Sequence, residues 1–170
     1  MTTERIEVQR PIAADPTAIF DILRDPAGQV AIDASGMLQA ATGDPVDAVG
    51  DRFVVHMDRD SLRDHPLGEY DVTVAITAFD RDRTIEWTIE GAFEPQIGHV
   101  YGYTLEPTDE GTLVTSYYDW SNIHPNYRDA GIFPVISETN LRATLGILAR
   151  TVAPGAGRPG ADVWEASKDG

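Results

Sequence analysis

His99, Tyr101, Tyr103 and Leu105 stand two residues apart in one strand-like run, and Val114, Ser116, Tyr118 and Trp120 do the same in the next. Strand side chains alternate faces with period two, so each set lines one surface. A hairpin across Thr108-Asp109-Glu110-Gly111 would join the two sets into an aromatic wall carrying imidazole, hydroxyl and indole groups. A histidine with an ordinary pKa near 6.5 works as acid or base. Tyrosine hydroxyls donate hydrogen bonds to a carbonyl or enolate. The candidate catalytic residues are therefore His99, Tyr101 and Tyr103. Such a wall is either a filled core or one side of a pocket, and the residue types alone fit both.

The elements around the wall follow from periodicity and turn chemistry. Arg5 to Ile12 alternates and reaches Pro11, which suits an edge strand. Asp15 and Pro16 then signal a helix start, and Ile19, Phe20 and Leu23 form its apolar stripe before Asp25-Pro26. A second short helix is expected around Gly28 to Ala34. Strands are expected over Met37 to Ala41, Asp51 to Asp58, Tyr70 to Phe79, Thr84 to Glu90, His99 to Glu106 and Thr112 to Ser121. The short connections between them imply an antiparallel meander. Leu141, Leu145, Leu148 and Val152 recur at helical spacing, which predicts a long helix from about Pro134 to Val152. An antiparallel sheet with one apolar face must cover it, and this helix is the available cover. The spacing thus gives an α+β domain over residues 1–153, followed by a Gly/Pro-containing tail over 154–170 that is expected to be disordered.

Composition narrows the partners. Twenty-eight acidic against 13 basic residues leave a formal charge of -15, which disfavours nucleic acid and anionic lipid surfaces. There is no cysteine, hence no disulfide, thiol nucleophile or cysteine-based zinc site. The first residues lack a basic and then apolar leader, and no run approaches 18 apolar residues, so a cytoplasmic protein without membrane insertion is expected.

Other polar residues carry less. His56 and Asp58 share a face, but the apolar face of their strand is Phe53-Val55-Met57, so both point to solvent. Asp119 faces away from Tyr118 and Trp120, and Glu90 and Glu94 border a strand end. His56, His65, His99 and His124 are scattered without metal-ligand spacing, so no metal is expected. Gly155 to Gly160 matches G-x-G-x-x-G literally, but it follows a helix and opens none, so the dinucleotide mechanism is missing.

Four segments together resemble one family. They are Arg10-Pro11-Ile12-Ala13-Ala14 running into Asp15 to Leu23; Val49-Gly50-Asp51-Arg52-Phe53; Phe79 to Trp87; and Gly111-Thr112-Leu113-Val114-Thr115 running on to Tyr118-Asp119-Trp120-Ser121. In this order they resemble the START/Bet v 1-like (SRPBCC) superfamily, in particular its polyketide cyclase/dehydrase-like branch, over about residues 4 to 153. The resemblance implies a helix-grip fold: a curved antiparallel sheet of about six to seven strands wrapped around a long C-terminal helix, with one or two short helices after the first strand. It also implies an apolar, aromatic, polyketide-like or lipid-like ligand held between sheet and helix, with no cofactor.

With strand alternation added, the resemblance places Phe53, Val55, Met57 and Trp87 inward, and with them His99, Tyr101, Tyr103, Tyr118 and Trp120. Leu141 and Leu145 face them from the helix, while Tyr127 and Phe133 in the preceding connector close one end. His65-Pro66 belongs to a loop at the opposite rim. Members of such a family include binders, cofactor-independent cyclases or dehydratases, and protein-interaction modules. All three readings apply here, for a monomer or a homodimer, with ligand binding placed first.

Overall fold

Val8 and Ile12 share one face of β1 (Arg5–Ile12), and both are buried, as period-two alternation requires. The computed structural model describes residues 3–64 and 66–156. After β1 come α1 (Pro16–Leu23) and α2 (Pro26–Ile32). Each has proline in its first turn, where a missing N–H leaves no bond unmade. The Asp25 carboxylate accepts from the Ala27 N–H at 3.0 Å, so α2 begins at Pro26 rather than near Gly28. Asp15 holds the N-cap position of α1 without a side-chain cap bond.

Gly28 is where the two helices meet. A Cβ there would lie 2.1 Å from the Ile22 carbonyl oxygen, so only glycine permits this backbone approach. Gln29 Nε2 ties the same corner by donating to the Leu23 carbonyl at 2.7 Å. Gly28→Ala is expected to cost about 1–3 kcal/mol by overpacking, seen as a lower urea midpoint at unchanged m-value. An unchanged midpoint would show that the corner yields freely.

The strands β2 (Leu38–Thr42), β3 (Arg52–Asp58), β4 (Glu69–Asp80), β5 (Thr84–Glu90), β6 (Val100–Thr108) and β7 (Gly111–Asp119) form an antiparallel meander. β1 adds beside β7, giving one seven-stranded sheet in the order β1-β7-β6-β5-β4-β3-β2. Tyr101 stands opposite Tyr118 on one side and Trp87 on the other, and Tyr103 opposite Ser116. A bulge between Ile76 and Ala78 shifts the inward set of β4 from Val72, Val74 and Ile76 to Phe79. Phe79 then meets Phe20 of α1 edge to face, with centroids 5.4 Å apart.

A single 3₁₀ turn (Arg59–Ser61) follows β3, and the short α3 (Pro125–Arg128) follows β7. α4 (Glu138–Val152) is shorter than the Pro134 start predicts. Ser137 takes the N-cap, its hydroxyl accepting from the Asn140 N–H at 3.1 Å. Residues 129–137 form a strap between α3 and α4, with Phe133 against His99 and the Val135 carbonyl bonded to Arg59. Leu141, Leu145 and Leu148 are the buried stripe of α4 and pack it across the inner face. Residues 154–156 form a turn after α4. The expected disorder of 157–170, most of the Gly155–Gly160 run, and His65 lie outside the described residues.

Candidate functional site

Between the middle strands and the first turns of α4, side chains do not fill the interior, and a cavity of about 130 Å³ remains. Its sheet wall comes from alternate positions: Phe53, Val55 and Met57 on β3, Val72 and Val74 on β4, Trp87 and Ile89 on β5, Tyr101 and Tyr103 on β6. The other side is built from Gln29, Ile32 and Asp33 at the end of α2, the stretch around Ser35 and Met37, and Ile136, Asn140, Leu141 and Thr144. Apolar cavities of about 150 Å³ take up benzene. The volume is therefore that of one ring.

The cavity gathers Phe53, Val55, Met57, Trp87, Tyr101, Tyr103 and Leu141 from the expected binding set, but it does not reach His99, Tyr118, Trp120, Tyr127, Phe133 or Leu145. The reason is the depth of the wall. Tyr101 stacks on Tyr118 with centroids 4.4 Å apart, and Tyr118 stacks on Trp120 at 5.4 Å, so the rings beyond Tyr101 pack against one another. Phe133 of the strap covers the His99 ring edge-on at 5.7 Å. Tyr127 instead donates its hydroxyl to the Pro95 carbonyl at 2.6 Å, and Leu145 is buried farther along α4.

His99 is thus behind the cavity rather than on it. Its Nδ1 is 2.7 Å from the Tyr118 hydroxyl, and its Nε2 is buried with no hydrogen-bond partner among the described residues. Burial lowers its pKa from 6.5 to about 4, so the imidazole is neutral near pH 7. Tyr118 also interacts with the Tyr101 hydroxyl, which leaves one indirect route from His99 to the cavity. Burial pushes Tyr101, Tyr103 and Tyr118 far above the ordinary tyrosine range. All three are neutral phenols that can donate hydrogen bonds.

On the outer face, His56 lies 2.9 Å from Asp71 and 3.2 Å from Glu69, and the hydrogen bond to Asp71 is the main cause of its raised pKa. Asp58 accepts from the Asp60 N–H instead, so His56 and Asp58 form no dyad. Asp119 pairs across strands with Arg5 and accepts from Ser121. Among the described residues no group of histidines and carboxylates could hold a metal ion. No helix among them is long and apolar enough to cross a membrane.

Two charged features of the site were not singled out from the sequence. Arg59 is buried, with a two-point pair to Asp64 at 2.8 and 2.6 Å, and it also donates to the Val135 carbonyl at 3.3 Å and towards Met37 Sδ at 3.2 Å. It ties the loop after β3 to the strap and to the cavity wall. Asp33 is the second: it takes the C-cap position of α2, lines the cavity, and turns its carboxylate to Ser35 and Leu38.

The sequence profile for polyketide cyclase / dehydrase and lipid transport proteins matches residues 3–153. The chain belongs to this family. Solved structures share its fold at low identity. A protein from Mesorhizobium loti is 20% identical with a TM-score of 0.60, covering 89% of this chain and 98% of its own. The Aha1 dimer from Colwellia psychrerythraea is 18% identical with a TM-score of 0.59, covering 92% and 100%. A polyketide-cyclase-like protein from Corynebacterium glutamicum is 16% identical with a TM-score of 0.57, covering 89% and 92%. No curated protein sequence matches the chain. Family and fold together make this a hydrophobic ligand-binding scaffold of the helix-grip type.

Proposed function

We propose that the protein binds one small apolar or aromatic molecule, or one ring of a larger polyketide-like or lipid-like compound, in the cavity between β3–β6 and α4. The observation that carries this reading is the unfilled cavity itself. It lies on the inner face of the sheet, where side chains would otherwise close-pack, and Trp87, Tyr101 and Tyr103 line it, the two tyrosine hydroxyls bonded to Tyr118 and Ser116. Apolar lining with a few convergent polar groups is the common pattern of small-molecule sites. Native mass spectrometry of protein purified from its own host should show one bound organic compound per chain. It also reports subunit number, for which we propose a monomer or homodimer in the cytoplasm. Bare chain mass, together with no uptake of added one-ring compounds, would overturn the reading.

A second reading, cyclase- or dehydratase-type catalysis, draws on the path from Tyr101 through Tyr118 to His99. In that case His99→Ala abolishes turnover and leaves ligand affinity largely intact. Equal activity in the variant rules it out.

A further inference from the structure

We infer that Asp33 makes the cavity charge-selective, so that it takes neutral hydroxyl-bearing or cationic one-ring molecules and turns away their carboxylate counterparts. This rests on the binding reading above and adds a ligand class to it. Asp33 is held rigidly. Oδ1 accepts from the Ser35 N–H at 3.1 Å and the Ser35 hydroxyl at 2.8 Å, and Oδ2 accepts from the Leu38 N–H at 3.1 Å. Every partner is a donor, which is the pattern an ionised carboxylate uses.

No cationic side chain among the described residues pairs with that carboxylate. Arg59, which contacts Met37 of the wall, has its guanidinium committed to Asp64, the Val135 carbonyl and Met37. Asp33 also stands at the C-terminus of α2, the end of a helix that favours cations. Helix electrostatics therefore does not account for a carboxylate there, while the turn it organises needs only acceptor oxygens. At Tyr103 burial dominates and Asp33 is the charge that adds to it, whereas at Tyr101 Arg59 acts in the opposite sense and ahead of Asp33. A ligand hydroxyl can accept from a tyrosine and donate to the lone pair left on Asp33. A ligand carboxylate has no proton to donate and meets a like charge in the wall.

The test is calorimetric titration near pH 7 with p-cresol, 4-methylbenzylammonium and 4-methylbenzoate, each carrying one ring. The two ions pay similar desolvation and meet the same tyrosines in every variant, so the change of their ratio between parent and variant isolates the wall charge. The cation should bind about tenfold or more tighter than the anion, as a pair at several ångströms in a medium between water and protein interior implies. Asp33→Asn, which keeps one acceptor oxygen for Ser35, should shrink that ratio about tenfold. Asn140→Asp adds a second carboxylate to the wall, where Asn140 Oδ1 already accepts from Ser137, and should widen the ratio. If Asp33→Asn fails to fold, Asp33→Ser, whose hydroxyl keeps an acceptor for the turn, makes the same test. Equal binding of both ions, or a ratio unmoved by the variants, overturns the charge selection while p-cresol binding preserves the proposed function. Absence of p-cresol binding overturns the proposed function itself.

Discussion

Asp64→Ala is expected to destabilise the folded protein by about 3 kcal/mol, the lower end of the cost of removing one partner from a buried ion pair. Only 6% of the Arg59 side chain is exposed, so its guanidinium would remain inside the fold without its carboxylate. Asp64 is 41% exposed, which is why the expected cost sits at the lower end. The urea midpoint should fall accordingly. The double variant Arg59→Met with Asp64→Ala should lose less than Asp64→Ala alone, because it removes the stranded charge. Equal stability of Asp64→Ala and the parent protein would show that water reaches Arg59. The effect reaches the site, since Arg59 holds the Val135 carbonyl next to Ile136 and contacts Met37, both on the cavity wall.

The second large effect is acid sensitivity set by His99. Its folded pKa is about 4 against 6.5 for the free side chain, with burial as the cause. Between those values the unfolded chain takes up a proton that the native state does not. Stability from this group is therefore complete above about pH 6.5 and is lost as the pH falls towards 4, by about 3 kcal/mol in all. Against the opposing effect of burial, Ser121 and Arg5 shift Asp119 downward, away from this window. Urea midpoints of the parent and of His99→Gln, followed from pH 7 to pH 4.5, should converge as the parent loses this component. Parallel profiles would mean that the buried imidazole accepts a proton in place.

Much of the fold was readable because period-two alternation survives in these strands. Phe53, Val55 and Met57, Trp87 and Ile89, and Tyr101 and Tyr103 all lie on the inner face as spaced. What alternation cannot give is depth along a strand. His99 and Tyr118 share the face of Tyr101 but lie under the strap, and the strap's position depends on Phe133, Val135 and the remote Arg59. The bulge after Ile76 likewise follows from tertiary packing of Phe79 on Phe20.

The late start of α4 did have a local signal. Ser137 stands three residues before Asn140 and offers the cap that Pro134 cannot. Asp33 and Arg59 resembled ordinary charged residues at a helix end and in a loop. Only the folded chain shows that one borders the cavity and the other is sealed beside it.

We propose the space beside Trp87, Tyr101 and Val74 as the ligand site. That role is tested most directly by calorimetric titration of p-cresol into the parent protein and into Val74→Trp, whose indole would occupy that space. Cooperative urea unfolding of the variant establishes that it is folded. The parent should bind 1:1 with a Kd below about 1 mM, or about −4 kcal/mol, and a negative heat-capacity change, and Val74→Trp should show no measurable binding. Equal binding to both proteins, or none to the parent, would contradict that role.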